Sequence, residues 1–254
     1  MKRRIKERQH RPAETTALPA VRHSSEGVFA LSKRRVKFSK LGMAKYISHL
    51  DLLRCFTRSI MRSGLPVEYS QGFNPHQKMT FALPLPVGVT SECEYVDIFF
   101  EDGKATDKEI FEKLNMNLPP DIRVLSVGDV GAKAADIVCA EYTVTVYSDE
   151  AIDENRVKSF FMEDEVVVMK KTKKKIDKPI NLMEYIRTWE ITAVGDKTLT
   201  MRLVLDAGGE RNLKPDMVIG ALCGRYPSVN ADNADIHRVQ TFRKDEKGVL
   251  TIFE

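Results

Sequence analysis

The sequence predicts an α+β fold, because short strand-like segments alternate with helical ones and clear turn signals separate them. At 254 residues, of which 43% are hydrophobic, the chain can bury a substantial core. The order of segments is β-α-β-β-β-α-β in the first half, where residues 67–70 are one of the predicted strands. The order recurs roughly in the second half, where Gly195 and Asp196 predict a hairpin and Trp189, inside a strand, is predicted to be core. We therefore predict two tandem ferredoxin-like (βαββαβ-type) units with antiparallel sheets, at 34–132 and 133–254. An unrelated α+β arrangement is the alternative.

Residues 1–33 have no hydrophobic periodicity and are rich in Arg, Glu, Ser, Thr and Pro, so we predict a disordered basic tail. Residues 1–78 carry seventeen Lys or Arg and five Asp or Glu, whereas residues 79–169 carry seven and nineteen. Such a polarised chain can orient on a polyanion such as RNA. No secretory signal and no apolar run of membrane-spanning length are present, so we expect a cytoplasmic protein without a membrane partner.

The clearest helix signal covers residues 48–63. Ser48 is suited to the N-cap position, Asp51 follows three residues later as a capping-box partner, and Gly64 and Pro66 end the helix. The residues predicted to face the core are Leu53, Phe56, Ile60 and Met61.

The same helix carries candidate phosphate-binding residues. Arg54, Arg58 and Arg62 recur every four residues and form one stripe, and guanidinium groups match phosphate oxygens. His49 occupies the first helical position, where the helix dipole and free amides favour an anion. The alternatives are a solvated helix face for the arginines and a local packing role for His49.

The loop "YSQGFNPHQKM" (69–79) concentrates aromatic, amide and basic side chains around one glycine and one proline. Gly, Asn and Pro alone are explained by a structural turn, but a site for a planar ring uses an aromatic residue for stacking and amides for hydrogen bonds. We therefore predict a binding loop. Its candidate binding residues are Tyr69, Gln71, Gly72, Phe73, Asn74, His76 and Lys78.

Metal and cofactor chemistry is not expected. The four cysteines are scattered without a C-x-x-C pair, and the histidines have no paired zinc spacing. The segment "KKTKKKIDK" (170–178) contains six lysines, which suits either phosphate neutralisation or a solvated hairpin edge.

The motifs "SHLDLLR" and "GFNPH" resemble the radical-SAM-linked protein family, a domain of unknown function found beside or fused to B12-binding-type radical SAM proteins. The resemblance continues through "KKKIDKPINLMEYI" and "RNLKPDMVIGAL" and covers roughly residues 35–222. It implies a radical SAM protein as partner rather than a reaction. The family gives no role to the matching residues, which here are Ser48, His49, Asp51, Arg54, Tyr69, Gly72, Phe73, Asn74, Pro75 and His76.

Three functions follow from these observations. The favoured one is a non-catalytic accessory of a radical SAM enzyme that binds RNA or presents a substrate. The second is a metal-independent endoribonuclease with His49 or His76 as general acid or base; tandem ferredoxin-like domains with a histidine near the first helix are similar to the repeat-processing endoribonucleases of CRISPR systems. The third is a pure protein-docking module.

Overall fold

The computed structural model describes residues 32–101, 104–171 and 177–254. The elements of the first half are β1 (Ser32–Lys40), α1 (His49–Ser63), β2 (Met79–Phe81), β3 (Val89–Phe100), α2 (Asp107–Asn117) and β4 (Ile122–Asp129). Those of the second half are β5 (Ile137–Ser148), α3 (Glu154–Phe161), β6 (Val167–Lys171), β7 (Asp177–Asn181), β8 (Ile186–Val194), β9 (Thr198–Asp206), α4 (Pro215–Arg225), β10 (Val229–Lys244) and β11 (Leu250–Ile252). The predicted tail lies outside the described residues, except Ser32 and Lys33, which belong to β1.

Both halves contribute to a single sheet. Its strand order is β4-β1-β3-β10-β5-β9-β8, with β2 paired to β3 and β11 paired to β10. These pairings are antiparallel, except that β3 and β10, which join the two halves, run parallel. The predicted α+β class with a mostly antiparallel sheet is confirmed. The strands β6 and β7 form a separate two-stranded sheet.

Helix α1 begins and ends where its sequence signals predict. The Ser48 side chain accepts a hydrogen bond from the Asp51 amide at 3.2 Å, and Gly64 takes the left-handed conformation with φ of 63°. The predicted core face is wrong at Met61, which is 66% exposed. The helix instead buries Leu52, Phe56 and Ile60, and Met61 is turned away from them because each residue rotates about 100° around the axis.

Two large apolar clusters lie under the helices. In the first half, α1 and α2 pack on β1, β3 and β4, with Phe38 and Phe56 in edge-to-face contact at 4.9 Å between ring centroids. In the second half, α3 and α4 pack on β5 and β9. Trp189, predicted to be core, is half-buried and stacks on Phe161 at 5.0 Å.

Buried arginines hold the halves together. The Arg238 guanidinium of β10 donates to Glu94 of β3 at 3.0 Å and to the carbonyl of Leu83 at 2.9 Å. Lys40 is 1% exposed and lies near both Glu94 and Arg238. Burial lowers the pKa of Lys40, and the negative charge of Glu94 opposes that shift. Arg35 of β1, also buried, donates through Nη1 to the carbonyl of Glu254 in the second half at 2.9 Å.

Several local predictions need correction. The predicted strand 67–70 forms only isolated bridges, at Val67 and Tyr69, and β7 and β11 were not predicted. Most of the lysine-rich segment, residues 172–176, lies outside the described residues. None of the helices in the described part of the chain has the length and apolar character needed to span a membrane. The described residues also contain no cluster of three His, Cys, Asp or Glu side chains that could hold a metal ion.

Candidate functional site

The polar residues of the "SHLDLLR" motif form a local hydrogen-bond network at the start of α1. The Ser48 hydroxyl donates to the Asp51 carboxylate at 2.7 Å, and Arg54 donates to the other carboxylate oxygen at 3.0 Å. These two bonds, with Ser48 the larger influence, lower the pKa of Asp51. Ser48 and Asp51 therefore act within the protein as a helix cap, and Asp51 also orients the Arg54 guanidinium.

His49 is half-buried at the first position of α1. Its ring packs edge-on against Phe81 of β2 at 5.2 Å between centroids. Its buried Nδ1 atom has no hydrogen-bond partner among the described residues. The ring therefore serves as part of the contact between α1 and β2, and a role for it in ligand binding stays a prediction.

The predicted arginine stripe borders a shallow depression between α1 and the turn after α2. The volume of this depression is about 350 Å³. Arg62 donates to the carbonyl of Asn117 at 2.5 Å, whereas Arg58 makes no hydrogen bond or ion pair with the described residues. All the guanidinium donors of Arg58 are thus available to an anion. The depression is lined by Asp51, Arg54, Cys55, Arg58, Arg62 and Pro119.

The "GFNPH" loop is closed at its base by Ser70 and His76. The amide of Ser70 donates to the carbonyl of His76 at 2.8 Å, and the His76 amide donates to the Ser70 hydroxyl oxygen at 3.1 Å. The same hydroxyl lies 2.8 Å from His76 Nδ1. Gly72 has φ of 122°, which L side chains rarely adopt. The histidine therefore helps to shape the loop, and only Nε2 of its two ring nitrogens is left for a ligand.

The next residues fasten the loop to α1 and to the neighbouring strand segment. The buried Gln77 side chain donates to the carbonyl of Thr57 on α1 at 3.3 Å and to the Tyr69 hydroxyl at 3.4 Å. Lys78 pairs with Glu68 at 2.9 Å. Lys78 and the Tyr69 hydroxyl therefore already have bonding partners within the protein. They are less available to a ligand than we predicted.

Three candidate residues of the loop remain free. Phe73 is fully exposed at the tip, which is unusual for a large apolar side chain. Gln71 and Asn74 are also exposed, and their side-chain amides have no hydrogen-bond partner among the described residues. The loop thus presents one aromatic ring between two unused amides on a hydrogen-bonded base.

The loop and the arginines lie on opposite flanks of the outer surface of α1. On one flank Thr57 contacts the base of the loop, and on the other Arg62 contacts the end of α2. The two flanks are separated by roughly one helix diameter, about 10 Å. His49 and His76, the two candidate catalytic residues, are held by different partners, Phe81 and Ser70.

Exposed apolar residues between these flanks were not identified from the sequence. Leu50 and Met61 are 63% and 66% exposed, and their spacing places them on the same stripe of α1 as Arg54. Tyr46, in the 3-10 turn before α1, is 57% exposed. The signal that could have identified them is the rotation of about 100° per residue, which places Leu50 and Met61 well away from the line through Phe56 and Ile60.

Comparisons with known proteins identify a family. The family model described as "Uncharacterized protein conserved in bacteria (DUF2344)" matches residues 33–215. This match covers most of the chain, so the protein belongs to this family. No curated protein matches the sequence.

Solved structures show only a distant likeness. The chain is similar to one in the crystal structure of a Cbf5-Nop10-Gar1 complex, with 10% identity, a TM-score of 0.49, and coverage of 84% of this chain and 50% of that one. It is similar to one in the archaeal box H/ACA sRNP Nop10-Cbf5 complex, with 10% identity, a TM-score of 0.47 and the same coverage. The chain therefore spans about half the length of these chains. Likeness at this level is too weak to inform function.

Proposed function

We propose that this protein is a non-catalytic binding protein that holds single-stranded RNA across the outer surface of α1 and the loop 71–76. The observation that carries the proposal is the fully exposed ring of Phe73, on a loop whose base is closed by hydrogen bonds. An exposed aromatic side chain on a loop that is held by hydrogen bonds can stack on a nucleobase without first leaving a packed position. In the same loop, Gln71 and Asn74 can donate to and accept from the edge of that base.

The arginines of α1 supply the electrostatic part of the proposed interface. Arg58 has its fork free, and Arg54 and Arg62 flank it on the same helix. A base stacked on Phe73 would place phosphates of the same strand over α1, because a strand of a few nucleotides is long enough to span one helix diameter. The exposed Leu50 and Met61 between the flanks would contact sugars and bases.

A partner is part of the proposal. We infer that the protein acts beside a radical SAM enzyme, on the strength of the motif resemblance around "SHLDLLR" and "GFNPH". Pull-down with the intact chain tests this proposal by identifying the proteins and RNA that are captured together. Recovery of a radical SAM protein above a mock pull-down is the expected result, and capture of RNA without any such protein would contradict the accessory role.

We also propose that each half is a ferredoxin-like unit. The strand order β4-β1-β3-β2 in the first half and β10-β5-β9-β8 in the second supports this proposal, since each corresponds to the order fourth, first, third, second among the main strands of its half. In the second half the paired strands β6 and β7 follow α3 as an addition to this pattern. An experimental structure with a different strand order in either half would contradict it.

Binding of a labelled single-stranded RNA of mixed sequence, followed by fluorescence anisotropy, tests the RNA interface. Phe73→Ala should weaken binding by about 1–3 kcal/mol, the contribution of one stacked base. Arg58→Ala should weaken it as well and should reduce its salt dependence, by about 0.7 in the logarithmic slope for each phosphate that is no longer neutralised. Met162→Ala and Arg156→Ala, at exposed residues of the second half, are controls and should bind normally.

Two outcomes would contradict the proposal. One is unchanged affinity when Phe73→Ala and Arg58→Ala are combined. The other is RNA cleavage in EDTA that disappears in His49→Ala or His76→Ala, because this result would establish the ribonuclease alternative instead.

A further inference from the structure

A second cavity lies far along the sequence from the proposed RNA interface, at one end of the second half of the sheet. Four strands have their ends there: β5 and β8 begin, and β9 and β10 finish. The cavity has a volume of about 440 Å³, which is in the range of small-molecule sites. It is lined by Ala135, Ile137, Val138, Arg187, Ala207, Gly208, Gly209, Glu210, Arg211 and Lys244.

Two arginines of this cavity share one buried carboxylate. Asp206, at the end of β9, accepts a hydrogen bond from Nε of Arg187 and another from Nε of Arg211, each at 2.6 Å. Arg211 also donates through Nη2 to the carbonyl of Glu184. The shared carboxylate fixes both guanidinium groups and leaves Nη atoms, particularly those of Arg187, without a partner among the described residues.

The lining carries more positive than negative charge. Lys244, at the end of β10, is exposed and makes no ion pair or side-chain hydrogen bond with the described residues. Arg187, Arg211 and Lys244 thus face one buried carboxylate, Asp206, and one exposed carboxylate, Glu210. The three cations come from two strands and the loop after β9, so their meeting depends on the fold rather than on a local run of charge.

The loop after β9 adds backbone donors. Gly208 lies against β5 so closely that a Cβ atom there would be 2.5 Å from the carbonyl oxygen of Ile137. Gly209 also lines the cavity, and a Cβ atom added there would have no atom within 4 Å. The amides of residues 208–212 donate to no acceptor among the described residues, although the flanking amides of Ala207 and Leu213 do. Free amides beside cations form a concavity that suits an anion.

We infer that this cavity binds the phosphate group of a small phosphate monoester. The phosphate oxygens would accept charge-assisted hydrogen bonds from Arg187, Arg211 and Lys244. They would also accept hydrogen bonds from the backbone amides of the loop after β9, residues 208–212. Among the apolar residues of the lining, Ala135 is exposed and Val138 is half-buried, and the organic part of the ligand would pack against them. A mononucleotide and the terminal phosphate of an oligonucleotide share this chemistry. The site is separate from the α1 surface, so this inference can be tested independently of the proposed RNA interface.

Isothermal titration of the full chain with AMP, with adenosine as the uncharged control, tests the inference. AMP should bind one to one and adenosine should not. Lys244→Gln should weaken AMP binding about tenfold or more, since it removes a charged donor. Gly209→Leu should also weaken binding, because Gly209 lines the cavity and the added side chain would take up space at its wall. Lys247→Gln, at an exposed lysine in the following turn, should leave the affinity unchanged.

Three further outcomes decide the matter. Phe73→Ala should not alter AMP binding, which separates this site from the RNA interface. Competition with AMP by a 5′-phosphorylated oligonucleotide, but not by its 5′-hydroxyl counterpart, would identify a strand end as a source of the phosphate. The inference is overturned if AMP gives no binding at about 10 mM, or if Lys244→Gln and Gly209→Leu both fold normally and bind AMP like the natural chain.

Discussion

Arginine side chains occur in two contrasting settings in this protein. At the junction of the halves, Arg35 and Arg238 are 4% and 2% exposed; Arg35 bonds Asp97 at 2.8 and 3.0 Å and the Ala132 carbonyl, and Arg238 bonds Glu94. On α1, Arg58 is exposed and has no partner among the described residues. A buried charge needs partners because water cannot reach it, whereas an exposed one can exchange water for a ligand. Burial together with partners, rather than charge alone, therefore separates structural arginines from candidate binding arginines.

The largest effect is expected when a junction pair is broken. Arg238→Met leaves Glu94 buried without its main partner and should lower the free energy of unfolding by about 3–5 kcal/mol. Denaturant unfolding measures this decrease. The double variant Arg238→Met, Glu94→Leu should recover much of it, because both charges are then removed. A decrease below about 1 kcal/mol in the single variant would show that the pair does not hold the junction.

The opposite behaviour is expected on the α1 surface. Arg58→Ala and Phe73→Ala should each change the free energy of unfolding by less than about 0.5 kcal/mol, because neither side chain is packed or paired. The same variants should weaken RNA binding by about 1–3 kcal/mol. Measuring both quantities on the same preparations sharpens the comparison. If Arg58→Ala or Phe73→Ala destabilised the protein as much as Arg238→Met does, the residue concerned would be structural rather than a binding residue.

A pH titration tests the buried region without changing any charged pair. Burial, with a further contribution from Glu94, raises the pKa of the Cys93 thiol from 9.0 to about 12. The folded state then keeps this proton to higher pH than the unfolded chain does. The free energy of unfolding should therefore fall as the pH rises from 9 towards 12, by at most about 1.4 kcal/mol per pH unit from this group. Cys93→Ala should show a shallower fall; identical pH profiles would mean that Cys93 does not titrate in this way.

The smallest effect concerns the cap of α1. Ser48→Ala removes the hydroxyl that accepts from the Asp51 amide and should cost about 1 kcal/mol of stability. It should also raise the pKa of Asp51 towards its ordinary value, because the Ser48 hydrogen bond is the main cause of its lowering. An NMR titration of the carboxylate in both proteins measures this change. An unchanged Asp51 pKa would show that the Ser48 hydroxyl does not donate to the carboxylate, and unchanged stability would show that it does not cap the helix.

Local signals predicted much of the fold. The N-cap Ser48 and Gly64 gave the bounds of α1, and Gly195 with Asp196 located the hairpin between β8 and β9, because caps and turns depend on neighbouring residues. The phase of α1 was misjudged at Met61, since apolar residues occur on both faces of this helix.

Long-range contacts were beyond the reach of the sequence. Asp97 lies 62 residues from its partner Arg35, and the cations of the second cavity meet only when the strand ends of the second half align. In the candidate site, the sequence identified the motif residues, but it did not show which of them are structural and which are free to bind a ligand. Ser48 and His76 have hydrogen-bond partners within the protein, whereas Phe73 and Arg58 do not, and this distinction required coordinates.

The most direct measurement uses a fluorescent residue at the tip of the loop. Phe73→Trp in a Trp189→Phe background gives a protein whose single tryptophan is the proposed stacking residue. Its emission should be that of an exposed indole and should be quenched as single-stranded RNA saturates the protein, because a base then stacks on the ring. Emission that stays constant while anisotropy shows the RNA fully bound would contradict the proposed stacking, since RNA would then bind elsewhere.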